Sequence, residues 1–238
     1  MHKEDFDQNC MKPNMELIEF ENRSALDTAL VSKVTELLMV AIKERGTASL
    51  VVSGGRTPVT FLNLLSQQII DWSKVVVTLA DERWVEADHS DSNEKLVREN
   101  LLINKAHTAK FIPLKNAAID AVMGEARAES DIEQIGRFTL VILGMGTDGH
   151  TASLFPSAKT LALGLDMNSG RTAIAATPTT APHQRMSLTL PCLLNSQQVI
   201  LHICGADKQD ILQTAQAGDD ITELPIRAIL NQQLVPLS

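Results

Sequence analysis

The chain has 238 residues, of which 44% are hydrophobic and 21% are charged, and its formal net charge is −8. These two fractions are typical of a globular protein. Because only 3% of the residues are aromatic, we expect an aliphatic core. The acidic balance disfavours nucleic acid as a partner, and the sequence lacks the run of about 20 apolar residues that predicts a membrane span.

Apolar runs alternate with amphipathic segments, a pattern typical of βαβα folds. In chain order, we expect strand 15–21, helix 26–45, strand 48–52, helix 57–70, strand 75–79, helices 92–103 and 118–135, strands 138–143, 172–176, 185–189 and 198–204, and helix 207–217. The strands 48–52, 75–79 and 138–143 are short apolar runs that suit burial on both faces. We therefore expect an α/β fold with a doubly wound, mostly parallel, Rossmann-like sheet flanked by helices, in a single domain over residues 1–238.

The cysteines and the N-terminus indicate the compartment. Cys10, Cys192 and Cys204 are odd in number and lack CxxC or CxxH spacing, which disfavours a disulfide framework and a structural zinc site. Residues 1–14 are polar and acidic, unlike the start of a secretory signal. We therefore expect a cytoplasmic protein with no metal site and no membrane partner.

The segment 53–58, Ser-Gly-Gly-Arg-Thr-Pro, joins a predicted buried strand to a helix. Gly54 and Gly55 allow the backbone to approach an anion, and a helix N-terminus offers unpaired N–H groups. With Arg56 and Thr57, the segment predicts an anion cradle, although a tight strand-to-helix turn would use the same residues. It matches neither GxxxxGK[ST] nor GxGxxG.

A charged cluster, Asp81-Glu82-Arg83, follows the apolar strand 75–79. Two adjacent acids at a strand end cannot both point the same way, so we expect one to serve the cleft and the other to pair with an arginine. Capping or a surface ion pair is the alternative for both acids. Ser92 is the predicted N-cap of the following helix, directly before Asn93.

The glycine-rich segment 143–156 follows the buried strand 138–143 and contains His150. Such a loop can offer N–H groups to a developing oxyanion, and an imidazole ordinarily titrates near neutrality. Asp148 lies two residues before His150 and could orient its ring, so we favour a catalytic histidine over a structural one. The other five histidines lack such a setting.

Two basic residues, Arg185 and Lys208, stand at predicted boundaries between loops and regular elements. Isolated arginines and lysines are ordinarily solvated surface charges. Together with Gly54 and Gly55, however, these two side chains could hold one phosphate through charged hydrogen bonds.

Together these segments resemble the 6-phosphogluconolactonases, within the larger group that includes the glucosamine-6-phosphate deaminases. The resemblance spans nearly the whole chain and rests on 53–58, 81–84, 91–93 and 144–156 with Arg185 and Lys208, in the family's order. The run Asp-Gly-His-Thr-Ala-Ser-Leu-Phe-Pro at 148–156 is its most specific part. The deaminases instead have Ile-Ala-Phe-Asn-Glu-Pro after the histidine, with a glutamate that relays to it.

The resemblance implies an enzyme of the oxidative pentose phosphate pathway that converts 6-phospho-D-glucono-1,5-lactone and water to 6-phospho-D-gluconate, with no cofactor. In this reaction His150 is the expected general base on water, and Arg83 is the expected stabiliser of substrate or oxyanion. Asp81 and Asp148 are candidate orienting acids, and Asn93 is expected to contact sugar hydroxyls. The expected partner is the small-molecule lactone, and the expected assembly is a monomer or small homo-oligomer.

Two alternatives remain open at this point. In a deaminase-isomerase, Asp81 would move a proton between sugar carbons and ammonia would be released. A non-catalytic sugar-phosphate sensor would keep the phosphate site and use its loops to bind a partner. The differences from the deaminase pattern disfavour the first alternative, and the pairing of Asp148 with His150 disfavours the second.

Overall fold

The computed structural model describes residues 16–178 and 181–231. Its strands are β1 (Ala48–Val52), β2 (Val75–Leu79), β3 (Asp81–Arg83), β4 (Lys110–Phe111), β5 (Phe138–Leu143), β6 (Ala173–Ala176), β7 (Arg185–Leu188) and β8 (Ser196–Leu201). Five of them form a parallel sheet in the order β4-β2-β1-β5-β8. All residues of β1 and β5 are buried, which confirms the prediction made from their continuous apolar runs.

The helices are α1 (Arg23–Arg45), α2 (Val59–Ser66), α3 (Asn93–Asn100), α4 (Ala121–Glu133), α5 (Leu161–Leu165), α6 (Leu190–Leu194), α7 (Ala206–Gln216) and α8 (Arg227–Leu230). Ser92 caps α3 as predicted, because its side chain accepts a hydrogen bond from the Lys95 amide. The expected α/β architecture is confirmed. Among the described helices, none is long and apolar enough to cross a membrane.

A second, smaller sheet is antiparallel, with the order β3-β7-β6. Strands were predicted at 172–176 and 185–189, but nothing in their sequence separated them from the parallel strands. β3 was not predicted, because it has only three residues and all three are charged. β3 pairs with β7. Its residues Asp81 and Arg83 lie where the small sheet meets the loops that follow the strands of the parallel sheet.

The strand predicted at 15–21 is wrong for its described part. Residues 16–20 have no regular secondary structure, and Leu17 and Ile18 are 56% and 58% exposed. Among the described residues no strand pairs with this segment, since the parallel sheet ends at β4 and β8. Its alternating apolar residues instead line a surface groove together with Ile203 and Leu212.

The order of the parallel strands places a topological switch between β1 and β5. From β1 the chain moves outward to β2 and β4, and then returns to the other side of β1 to form β5 and β8. In open α/β sheets, ligands bind beyond the carboxyl ends of the strands at such a switch. The two glycine-rich loops, which follow β1 and β5, therefore lie side by side there.

Candidate active site

A cavity of about 310 Å³ lies at this switch point. The four residues of the predicted anion cradle all line it: Gly54, Gly55, Arg56 and Thr57. Five more of the predicted site residues also line it: Asp81, Arg83, Asn93, His150 and Lys208. The structure thus brings together residues from the loops after β1, β5 and β8 with others from β3 and α3.

The loop after β1 is shaped by close backbone contacts. A Cβ atom built on Gly54 would lie 1.8 Å from Oδ1 of Asn93, so only glycine fits at this position. Gly55 has a φ of 88°, a left-handed conformation that favours glycine. In the described structure no side chain caps the N-terminus of α2, so its first N–H groups remain available to an anion.

His150 and Asp148 form a hydrogen-bonded pair at the rim of the cavity. His150 Nδ1 lies 2.5 Å from Asp148 Oδ1, and the same oxygen accepts a hydrogen bond from the His150 amide at 3.2 Å. Burial acts to raise the pKa of Asp148, but the hydrogen bond and charge of His150 outweigh it and hold that pKa below its ordinary value. An ionised Asp148 favours a proton on Nδ1, which leaves the lone pair of His150 on Nε2.

Asp81 is buried at the base of the cavity and held from two sides. Its Oδ2 accepts a 2.5 Å hydrogen bond from the Ser153 hydroxyl. The Asn93 side chain donates to the Asp81 carbonyl at 2.9 Å and to its Oδ1 at 3.4 Å. Ser153 belongs to the predicted glycine-rich segment, but sequence reasoning gave it no role, because nothing local indicates a contact with Asp81.

The neighbouring acid, Glu82, has a structural role. Its carboxylate accepts hydrogen bonds from the amides of Arg83, Asn93 and Glu94 and from the Ser92 hydroxyl, at 2.7 to 3.1 Å. We expected an arginine side chain as its partner, which is wrong: its partners are three backbone N–H groups and the Ser92 hydroxyl. Burial raises the pKa of Glu82, although the three backbone hydrogen bonds oppose that shift.

Arg83 and Arg185 are direct neighbours across the antiparallel pair β3–β7. Arg83 donates to the carbonyl of Asp91 at 2.6 Å, and Arg185 donates to that of Pro182 at 3.2 Å. The Nε atoms of both arginines are buried without a hydrogen-bond partner among the described residues. Burial, and then the charge of Arg83, lower the pKa of Arg185. Two adjacent cations with unused donors suit an anionic ligand.

Arg185 does not join the other predicted phosphate ligands. It is buried beside Arg83 and is not among the residues that line the cavity, whereas Lys208 lines the cavity near the start of α7. Asp148 is likewise not among the residues that line the cavity. It is connected to the cavity through its hydrogen bond with His150.

Three other polar side chains meet outside the cavity. Asp91 donates its backbone N–H to His89 Nδ1 at 3.0 Å, and its carboxylate lies 3.1 Å from His183 Nε2. Within the described ranges, this is the one group of three potential metal-ligating side chains. Its members already hydrogen-bond one another, and they connect the loop after β3 with the loop before β7.

His202 was assigned no role from the sequence, yet it lies in the cavity wall. It is buried, its ring packs edge-on against Phe61 at 5.8 Å, and its Nε2 lies 3.5 Å from Asp27 Oδ1. Burial lowers the pKa of His202, although the charge of Asp27 opposes the shift. Asp27 lies in α1, so no local sequence signal could have revealed this pair.

Comparisons with known proteins identify the family of this chain. The family model described as glucosamine-6-phosphate isomerases/6-phosphogluconolactonase matches residues 21–236. A 6-phosphogluconolactonase of Rhizobium meliloti is 44% identical over 95% of this chain and 97% of its own length, and one of Pseudomonas putida is 40% identical over 91% and 89%. The crystal structure of a 6-phosphogluconolactonase from Shewanella baltica superposes with a TM-score of 0.91 at 45% identity, covering 94% of this chain and 97% of that one. The chain therefore belongs to the glucosamine-6-phosphate isomerase/6-phosphogluconolactonase family.

Proposed function

We propose that this protein hydrolyses 6-phospho-D-glucono-1,5-lactone to 6-phospho-D-gluconate, a step of the oxidative pentose phosphate pathway. The observation that supports this most is the His150–Asp148 pair, 2.5 Å apart, at the rim of a cavity that is also lined by the loop before α2. The relatives named above, which are called 6-phosphogluconolactonases, support the same reaction. We further propose that residues 1–238 form one domain and act in the cytoplasm without a cofactor.

In this proposal His150 is the general base. Nε2 takes a proton from a water molecule as the water oxygen attacks C1 of the lactone. Asp148 accepts the hydrogen bond from Nδ1–H, fixes the ring tautomer and stabilises the imidazolium that forms. The C1–O5 bond then breaks, and the imidazolium returns its proton to O5, so the histidine is unchanged after each turnover.

The developing negative charge needs a donor that is already in place. Arg83 lines the cavity, and its buried Nε has no partner among the described residues, so we assign it to the oxyanion or to the substrate carbonyl. Arg185 adds a second positive charge beside it. Asp81 and Asn93 are held by one another and by Ser153, and we assign them to the orientation of sugar hydroxyls.

The phosphate binds, in this proposal, at the loop after β1. Gly54, Gly55, Arg56 and Thr57 offer backbone N–H groups in the loop that leads into α2, and Lys208 supplies a positive charge on the same cavity. Holding the phosphate at a fixed distance from His150 places C1 against the base. The chain has a net charge of −8, so attraction of an anionic substrate has to arise from these local groups.

The direct test is a titration of the acid released from freshly prepared lactone, corrected for spontaneous ring opening. Wild-type protein should accelerate acid release, and the His150→Asn variant should not do so appreciably. Wild-type release at the spontaneous rate would refute the proposed activity.

A further inference from the structure

A network of polar side chains lies behind the loop after β1 and runs from the exposed Arg23 to the buried Asp27 and His202. Arg23, the first residue of α1, donates from Nη2 to the carbonyl oxygens of Thr57 at 2.7 Å and Arg56 at 3.4 Å. Its Nε lies 3.5 Å from Asp27 Oδ2, one helical turn along α1. The other Asp27 oxygen lies 3.5 Å from His202 Nε2, so the network reaches from the loop to the cavity wall.

Asp27 is an unusual residue to find at this place. It is fully buried, and within the described residues neither carboxylate oxygen has a hydrogen-bond partner at normal distance. Removing a carboxylate from water is costly unless it is closely paired, and apolar residues of similar volume often stabilise a core better. Stability of the fold therefore does not explain Asp27. Its contacts with Arg23 and His202 instead connect it to the loop after β1 and to the cavity wall.

Of the two carbonyls that Arg23 holds, only that of Arg56 shares its peptide unit with an N–H, because the residue after Thr57 is Pro58. Every described peptide bond is trans, and in a trans peptide the C=O of one residue and the N–H of the next point in opposite directions. The contact of Arg23 with the Arg56 carbonyl therefore fixes the Thr57 N–H in the direction away from Arg23. Thr57 lines the cavity, and its N–H is one of the donors assigned above to the substrate phosphate.

We propose that Asp27 is a positioning residue for phosphate binding: it holds Arg23 in place, and Arg23 fixes the Arg56 carbonyl so that the Thr57 N–H faces the cavity. This inference rests on the proposed function in so far as the substrate's phosphate is the group bound at this loop. Asp27 does not itself touch the substrate.

The test uses Asp27→Asn, which keeps the volume of the side chain and removes its charge. We expect the KM for the phosphorylated lactone to rise on the order of tenfold, the size of one charged hydrogen bond, with kcat nearly unchanged. The dissociation constant for inorganic phosphate, measured by titration calorimetry, should rise by a similar factor. Arg23→Gln should reproduce both effects, and the double variant should add little to either single one.

Glu36→Gln is the matched control, because Glu36 is a largely exposed acid on the same helix, paired only with Lys33. It should leave KM and phosphate affinity unchanged. If Asp27→Asn does not fold, Arg23→Gln tests the same contact from a side chain that is 44% exposed. A lowered melting temperature with unchanged phosphate affinity in either folded variant would make the network merely structural and overturn the inference.

Failure of this inference can be told apart from failure of the proposed function. Phosphate binding by calorimetry needs no turnover, so a wild-type protein that binds phosphate but opens no lactone would refute the activity alone. A wild-type protein that opens the lactone, with Asp27→Asn and Arg23→Gln both keeping wild-type KM and phosphate affinity, would refute the positioning role alone.

Discussion

The hydroxyl of Ser153 donates a 2.5 Å hydrogen bond to the carboxylate of Asp81, and both side chains are buried. This contact joins the loop after β5 to the small antiparallel sheet. It also occupies one of the two Asp81 oxygens, so the carboxylate cannot rotate freely in the cavity. Asp81 is thereby suited to orienting a substrate.

Loss of the Ser153 hydroxyl should destabilise the fold. Ser153→Ala leaves one oxygen of a buried carboxylate without its donor, and a hydrogen bond to a charged group contributes about 1.5–3 kcal/mol. We expect urea denaturation to show a lower free energy of unfolding by an amount in that range. Ser73→Ala is the control, because Ser73 makes a similar 2.6 Å contact to Asp71 but both residues are exposed. Equal stability of the two variants would contradict this interpretation of Ser153.

Replacement of the proposed general base should abolish most of the activity. Since a general base typically contributes about 10²–10⁴ in rate, His150→Asn should lower kcat by such a factor and leave KM largely unchanged. Initial rates of acid release, corrected for spontaneous hydrolysis, measure kcat and KM. If folded His150→Asn kept near-normal kcat, the base would have to be sought elsewhere, with Asp81 first in line.

Removal of the positive charge at Lys208 should weaken substrate binding. Loss of a charged hydrogen bond costs about 1.5–3 kcal/mol, which corresponds to roughly a 10- to 150-fold rise in KM. Lys33→Ala, on the outer face of α1, should leave KM unaltered. An unchanged KM in Lys208→Ala would remove this residue from the phosphate site.

The protein should open the lactone without deaminating an amino sugar phosphate. The residues after His150 are Thr-Ala-Ser-Leu-Phe-Pro, so the relay glutamate of the deaminase pattern is missing from this segment. We expect no ammonium from glucosamine 6-phosphate under conditions in which acid release from the lactone is rapid. Ammonium formed at a comparable rate would overturn the proposed activity in favour of the deaminase-isomerase.

The two described cysteines should differ sharply in their reactivity. Burial, reinforced by the charges of Glu129 and Glu133, raises the pKa of Cys192 to about 12, whereas Cys204 is exposed and lines the cavity near Lys208. At pH 8 roughly one Cys192 in ten thousand is then a thiolate. Cys10 lies outside the described residues, so a Cys10→Ser background is used with a thiol-specific reagent.

One thiol per chain should react rapidly in that background, and the second should react only after unfolding. Inorganic phosphate should slow the rapid reaction if it binds beside Lys208, because Cys204 lines the same cavity. The Cys204→Ser variant identifies the rapidly reacting thiol. Rapid labelling of both thiols in the folded protein would contradict the burial of Cys192.

The sequence predicted those parts of the fold that depend on local patterns. The bounds of β1, β2 and β5 follow directly from continuous apolar runs, and the site loops follow from glycines at the ends of those strands. It could not separate β6 and β7 from the parallel strands, because antiparallel pairing depends on the partner and not on the strand's own residues. The Asp27–His202 contact joins the first helix to the last strand's end, and only the folded chain brings them together.

The order of the parallel strands also bears on the synthesis of the chain. When residues up to β4 have emerged from the ribosome, β1 has its partner β2 on one side only, and its other edge waits for β5. That edge consists of five residues that are all buried in the folded protein, and an unpaired apolar edge is a site at which chains aggregate. Because the cavity needs the loops after both β1 and β5, a truncated chain that ends before β5 has neither a protected sheet nor a binding site. The pairing of β1 with β5 creates the cleft. Because β5 is synthesised after β1, β2 and β4, the nascent chain that lacks β5 is the form most exposed to misassembly.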